Sequence, residues 1–226
     1  MNTLTRIFRS SIGKKYIMAV TGLLLFGFVV IHMLGNLQVF IGKTAINDYA
    51  EFLKSRPVFL WTARGGLLII ALLHIVSAIQ LSIENKAARP IAYEKKEPSG
   101  ASFASQAILF SGLIVLAFIV YHLLHFTIGT INPDFLLFKE AGTNRHDVYR
   151  MVIEGFSNVW VSVFYVISMG LLCLHLSHGL SSMFQSLGLK NRAYIALIDR
   201  FAKISAIVIF IGNSIIPLAV LAGIVK

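Results

Sequence analysis

Residues 16–40 read YIMAVTGLLLFGFVVIHMLGNLQVF, an apolar run of 25 residues without a charged side chain. About 20 such residues are enough for a helix to cross the roughly 30 Å hydrocarbon layer of a bilayer. The run is too long for the core of a secretory signal, and no small-residue cleavage site follows a short core. We therefore interpret it as a mature membrane helix, and near its end lies a histidine, His32.

Four further apolar runs follow, at about residues 58–83, 103–131, 156–187 and 204–225. Breakers such as Pro57 and Asn132-Pro133 separate them. The composition agrees, since 57% of the residues are hydrophobic and 13% are charged, whereas about 25% are charged in a typical soluble domain. The sequence therefore predicts an all-α integral membrane bundle of five transmembrane helices, forming a single domain over residues 1–226.

The net charge of +10 follows the predicted membrane topology and does not indicate nucleic-acid binding. With a cytoplasmic amino terminus, 12 of the 20 Lys and Arg residues fall on the cytoplasmic side and 8 on the outer side. An excess of basic residues marks the cytoplasmic side of membrane proteins. We therefore predict a cytoplasmic amino terminus and a basic face that meets anionic lipid and a soluble partner.

Six of the seven histidines lie inside the predicted helices. A polar ring inside a bilayer is costly, so its default interpretation is functional, although any single one can also be bonded to a carbonyl of a neighbouring helix. Helix direction places the histidines of the first and third helices in the outer half and those of the second and fourth in the inner half. The six are His32, His74, His122, His125, His175 and His178, and the seventh, His146, lies in a loop.

Two imidazoles that face each other across a helix bundle are the axial ligands of a six-coordinate haem, whose chemistry is electron transfer. The pattern therefore predicts one haem between helices one and three and one between helices two and four. Spacing does not decide whether His122 or His125 is the ligand in the third helix, or whether His175 or His178 is the ligand in the fourth, because residues three apart share a helix face. A zinc site and a proton relay fit less well. A zinc site would need its ligands at one point, not at two depths, and a proton relay would need carboxylates among the histidines.

These residues resemble the cytochrome b membrane-anchor subunit of succinate:quinone oxidoreductases, in its single-subunit, five-helix, dihaem type. That family comprises succinate dehydrogenases and fumarate reductases, and the likeness covers nearly the whole chain. It rests on Thr21-Gly22 eleven residues before His32-Met33, on Leu73-His74, on Tyr121-His122 and on His175-Leu176-Ser177-His178-Gly179-Leu180.

The resemblance implies a multi-pass protein of the bacterial cytoplasmic (inner) membrane. Its cofactors would be two b haems, and menaquinone would be its substrate. Its partners would be a flavoprotein subunit and an iron–sulfur subunit on the cytoplasmic side. The chain would then be one subunit of a respiratory enzyme of the tricarboxylic acid cycle, with the succinate or fumarate active site on the flavoprotein and the quinone chemistry in this chain.

The resemblance also implies the iron ligands residue by residue. His32 and His122 would hold the outer haem, and His74 and His175 the inner haem. An aromatic residue precedes the family's ligand in the third helix, which favours His122 over His125. A Ser-x-Gly-Leu stretch follows the ligand in the fourth helix, which favours His175 over His178.

One departure from the family concerns the quinone site. Some members carry a carboxylate late in the first outer loop, where this chain has Lys54, with Glu51 about one turn away. These two residues are the quinone-site candidates. Arg64 is a candidate partner for a haem propionate, or an arginine that extends to the membrane interface. The alternatives are a dihaem cytochrome b of a hydrogenase or formate dehydrogenase, and a transporter without haem.

Overall fold

The computed structural model describes residues 10–88 and 108–226. Two 3-10 segments, Leu37–Phe40 and Pro133–Leu137, and a π-helical turn, Leu123–Thr127, lie between the α-helices. In the described ranges the α-helices are α1 (Ser11–Asn36), α2 (Lys43–Lys54), α3 (Pro57–Ala87), α4 (Ile108–His122), α5 (Val148–Ser157), α6 (Val159–Ser186) and α7 (Ile195–Leu221).

Five of these helices, α1, α3, α4, α6 and α7, are long and apolar enough to cross a membrane. The prediction of an all-α chain with five such helices is confirmed for the residues that the structure describes. In each span, between 11% and 39% of the most apolar window is buried inside the protein. Most of the remaining residues are partly or fully exposed in the isolated chain, which is typical of helices that face lipid.

The helix ends differ from the predicted ones because charged residues continue several helices. α1 begins at Ser11, five residues before the predicted start, where the hydroxyl of Ser10 accepts a hydrogen bond from the Gly13 N–H at 3.0 Å. α3 continues to Ala87 rather than to residue 83, and α7 begins at Ile195 rather than at residue 204. A charge marks the edge of the hydrocarbon layer, but it does not end a helix.

The fourth segment, predicted at about 156–187, begins across the junction of two helices, α5 and α6. The helix is interrupted at Asn158, whose side-chain oxygen accepts hydrogen bonds from the backbone N–H groups of Trp160 and Val161 and thereby caps α6. The third segment, predicted as 103–131, ends its π-helical turn at Thr127, before a positive φ of +73° at Gly129. Its first five residues, 103–107, lie outside the described ranges, and α7 ends at 221 rather than at 225.

Part of the predicted membrane orientation rests on residues outside the described ranges, namely Arg6, Arg9, Arg89, Lys95 and Lys96. The cytoplasmic position of the amino terminus therefore remains a prediction. The structure itself distinguishes two ends of the bundle. The end that carries α2 and α5 is called the capped end, and it corresponds to the outer side of the predicted topology; the other is the opposite end.

The long helices pack in two pairs, α1 with α3 and α4 with α6, and the pairs meet where α1 contacts α6. α7 packs along α6 and also contacts α1. At the capped end, α2 and α5 contact each other. There Asn47, 1% exposed, donates to the Asp147 carboxylate at 3.1 Å, and its side-chain oxygen accepts from the Tyr149 N–H at 2.9 Å. This packing places His32, His74, His122 and His175 at contacts between α1, α3, α4 and α6.

Candidate functional site

The structure brings His32 of α1 and His122 of α4 together near the capped end. Their ring centroids lie 5.7 Å apart, with an angle of 90° between the ring planes. A histidine nitrogen binds a transition metal at about 2 Å, so two axial imidazoles on one ion have centroids roughly 6 Å apart. Perpendicular rings satisfy this arrangement because each ring needs only to contain the axis through the metal. The centroid separation of the observed pair is close to that value.

His125 lies outside this pair. It is fully buried, at 0% exposure, and the centroid of its ring lies 4.0 Å from that of Phe126 and 5.6 Å from that of Phe135. Its Nδ1 lies 2.9 Å from the hydroxyl of Tyr165. The π-helical turn that starts at residue 123 separates it from the preceding α-helix, where His122 faces His32. This geometry favours His122 as the ligand, as the resemblance does.

Tyr165 of α6 also lies against His122, with its hydroxyl 3.4 Å from Nδ1. One hydroxyl thus stands between two imidazoles, and it can donate only one proton. If His122 donates from Nδ1 and Tyr165 donates onward to His125, the Nε2 lone pair of His122 is free to bind a metal. Sequence reasoning did not identify Tyr165, because nothing in the spacing of α6 relates it to α4.

The second pair consists of His74 of α3 and His175 of α6, which lie within electrostatic range of each other. The Nδ1 atom of His74 lies 3.1 Å from the Met18 carbonyl oxygen. Since a carbonyl only accepts, Nδ1 carries the proton and Nε2 keeps its lone pair. In the described residues Nε2 of His74 makes no hydrogen bond, so it is available as a ligand atom.

His178 is a poorer ligand than His175 by the same criterion. Its Nε2 lies 3.0 Å from the hydroxyl of Ser182, one turn further along the same helix. His175 instead places Nδ1 at 3.3 Å from the hydroxyl of Ser111 on α4. His175 is therefore held from a neighbouring helix through Nδ1, as His74 is, and the structure favours it as the partner of His74.

The two pairs lie at different depths. His74 contacts α1 at Thr21, and Thr21 precedes His32 on the same helix by eleven residues. Likewise His175 contacts α4 at Ser111, and Ser111 precedes His122 by eleven residues. At a rise of 1.5 Å per residue, both helices separate the two histidine levels by about 16 Å. That is about half of the hydrocarbon thickness, as the sequence predicts.

The quinone-site candidates Glu51 and Lys54 line one cavity of about 530 Å³ at the capped end, together with Lys139, Arg145 and His146. Burial lowers the pKa of the Lys54 ammonium, an effect that Glu51 opposes. Burial also lowers the pKa of His146, and the charge of Lys54 lowers it further. The imidazole of His146 is therefore largely neutral near pH 7, and it lies beside the Lys54 side chain in this cavity. Sequence reasoning placed His146 in a loop and assigned it no role.

Two further cations are placed by the structure. Arg145 forms ion pairs with Glu140 and Asp48 at the edge of the cavity. Arg64 is exposed on α3, and its guanidinium lies 5.1 Å from the centre of the Trp61 ring. A cation over an exposed tryptophan is typical of the membrane interface. This contact fits the interfacial interpretation of Arg64 better than that of a propionate partner.

No family model, curated protein or solved structure matches the chain. Within residues 10–88 and 108–226, no three histidine, cysteine or carboxylate side chains gather as ligands of a bare metal ion. A six-coordinate haem needs only two protein ligands, which is the number that each of the two levels supplies. The chemistry of these donor atoms therefore fits two haems.

Proposed function

We propose that the chain is the membrane anchor and electron-transfer subunit of a succinate dehydrogenase or fumarate reductase. The supporting observation is the set of four histidines on four helices at two levels, with the rings of His32 and His122 5.7 Å apart between their centroids. Bound b haems would supply one-electron transfer at two successive depths of the membrane. The sequence motifs that resemble the dihaem cytochrome b family support the assignment to this class of complex.

The chain's own contribution is to hold and orient the imidazoles. The α1–α3 contact fixes the ring of His74 through the Met18 carbonyl, and the α4–α6 contact fixes that of His175 through Ser111. Partners of this kind keep Nε2 free and increase the basicity of the ligand. At the other level, Phe28 stacks on His32 at a centroid distance of 5.4 Å. These contacts orient the ligands before a cofactor binds, and the surrounding apolar helices exclude water.

Menaquinone would bind in the cavity at the capped end, within reach of the His32 and His122 level. The ammonium group of Lys54 would donate a hydrogen bond to a quinone oxygen, and Glu51 or His146 would exchange protons with it. The flavoprotein and iron–sulfur subunits would dock at the opposite end, on the cytoplasmic side. Basic residues described at that end include Lys15, Lys86, Arg192, Arg200 and Lys203. Electron flow in either direction is compatible with this arrangement.

The first prediction concerns haem content. The chain purified with its native partners should show two b-type haems in a reduced-minus-oxidised spectrum, and flavin should co-purify with succinate-oxidising or fumarate-reducing activity. Two haems without a flavoprotein would assign the chain to another membrane redox complex, such as a hydrogenase or formate dehydrogenase. A folded preparation without haem would contradict the electron-transfer proposal and leave a transporter as the better hypothesis.

The second prediction concerns the quinone. Lys54→Met should raise the KM for a menaquinone analogue about tenfold, the effect expected when one hydrogen bond from a charged group is lost. The haem spectrum should not change, because Lys54 lies in the cavity and not between the histidine pairs. Lys226→Met, at an exposed lysine of the same end that does not line the cavity, is the matched control and should leave the KM unchanged. Equal effects of the two substitutions would argue against a quinone site in this cavity.

A further inference from the structure

The chain contains an internal repeat that its histidines reveal. Thr21-Gly22 precedes His32 by the same eleven residues as Ser111-Gly112 precedes His122. Apart from the π-helical turn of the second half, the order of elements repeats as well: a long helix, a 3-10 segment, a short helix at the capped end and a second long helix. One half comprises α1 to α3 and the other α4 to α6. Each half therefore supplies one histidine to each level.

In the first half, the hydroxyl of Thr21 lies between the backbone of α1 and the ring of His74. Its Oγ1 donates to the Ile17 carbonyl oxygen at 2.6 Å and lies 3.2 Å from Nδ1 of His74. Because the hydroxyl proton is committed to Ile17, an oxygen lone pair faces the imidazole and accepts its Nδ1–H. The Met18 carbonyl oxygen, 3.1 Å from the same Nδ1, accepts as well.

The second half reproduces this arrangement with serine. Oγ of Ser111 donates to the Ile108 carbonyl oxygen at 3.0 Å and lies 3.3 Å from Nδ1 of His175. Ile108 stands three residues before Ser111, as Met18 stands three before Thr21. Both hydroxyl residues are about 5% exposed. A serine or threonine in an apolar helix can satisfy its hydroxyl by donating to a carbonyl of its own helix, so it does not need a histidine on another helix as a partner.

The glycine that follows each hydroxyl residue makes the contact possible. A Cβ atom at Gly22 would lie 3.2 Å from Cε1 of His74, and one at Gly112 would lie 3.2 Å from Cε1 of His175. That is closer than side chains normally pack, so the imidazole would have to move. In contrast, a Cβ atom at Gly27 or at Gly179 would contact nothing within 4 Å. The close approach to the rings of His74 and His175 is made by the two glycines of the repeat.

We propose that Thr21 and Ser111 are positioning residues that fix the Nδ1–H tautomer of His74 and His175 and direct both Nε2 atoms to one haem. This inference rests on the proposed function, because it presumes that iron is what the Nε2 atoms bind. It adds that the haem at this level receives matched orienting hydroxyls from both halves. The other level has a different support, the Tyr165 hydroxyl near His122. The two haems should therefore respond separately to changes in these residues.

The test is a redox titration of the purified complex carrying Thr21→Val or Ser111→Ala. Either substitution removes an acceptor from Nδ1–H, makes the ligand less basic and so destabilises ferric iron relative to ferrous iron. We expect the potential of the haem between His74 and His175 to rise. Second-sphere losses of this kind amount to about tenfold in an equilibrium, or 59 mV for a one-electron couple. The other haem should keep its potential, and Thr21→Ser and Ser111→Thr should restore the wild-type value.

The possible outcomes separate this inference from the proposed function. Absence of haem from the wild-type protein would contradict both. Two haems whose potentials stay unchanged in both Thr21→Val and Ser111→Ala would overturn the inference alone, and so would equal shifts of both haems. If the valine variant does not accumulate, the alanine variant in the other half provides the same measurement. Loss of only the haem between His74 and His175, reversed by the hydroxyl-bearing variants, would support the inference.

Discussion

His122→Ala is expected to remove one haem and leave the other, whereas His125→Ala is expected to retain both. Only the ring of His122 faces His32, at a centroid distance of 5.7 Å, and His125 is packed among phenylalanines behind the π-helical turn. Iron that loses one of two protein ligands in an apolar site binds weakly. The haem-to-protein ratio should therefore fall from two to about one for the first variant. Difference spectra of the purified complexes measure this ratio.

Double substitutions make the pairing itself testable. His32→Ala and His122→Ala should remove the same haem, so their combination should lose no more haem than either alone. His32→Ala combined with His74→Ala should lose both, because those residues belong to different pairs. Retention of a haem in the second double variant, or loss of both in the first, would contradict the assignment of the pairs.

The five membrane helices and the helices that carry each histidine pair could be predicted from the sequence. Hydrophobic length sets the spans, and helix direction sets the depth of each histidine. The choice between His122 and His125 could not be derived from spacing, because residues three apart share a face in a regular α-helix. The π-helical turn at Leu123–Thr127 alters that spacing locally. Here only the family resemblance favoured His122.

The capped end was largely missed. The short helices α2 and α5 lie in segments predicted only as loops, because neither helix is long enough to cross a membrane. The cavity there joins Glu51 and Lys54 to Arg145 and His146, more than 90 residues away in the chain. Such neighbours are set by tertiary packing, so a single sequence provides no signal for them. The repeated hydroxyl–glycine pairs, in contrast, were present in the letters and could have been found by aligning the two halves on their histidines.

Asp147→Ala is expected to destabilise the capped end by about 2 to 3 kcal/mol, the upper part of the range for a buried polar group that loses its hydrogen-bond partner. The Asp147 carboxylate is 3% exposed and accepts from the Lys43 ammonium at 2.8 Å, from Asn47 at 3.1 Å and from the Arg150 N–H that begins α5. Lys43 is 43% exposed and can return to water. Asn47 is 1% exposed and cannot reach water, so the variant leaves its buried amide group without a hydrogen-bond acceptor.

The same network predicts a dependence on pH. Burial raises the pKa of Asp147, but the hydrogen bonds from Lys43, Arg150 and Asn47 outweigh burial and lower the pKa below its ordinary value. Because the folded pKa is the lower one, the stabilisation is complete above the unfolded pKa and is lost as the pH falls through the folded pKa. The wild-type protein should therefore lose stability in acid, and the Asp147→Ala variant should lose less stability over the same pH interval.

Unfolding in detergent, followed by circular dichroism, measures the effects of the substitution and of pH. Asp134→Ala, which removes an exposed carboxylate near the same end, is the matched control. Equal acid sensitivity in all three proteins would show that Asp147 does not hold α2 and α5 together.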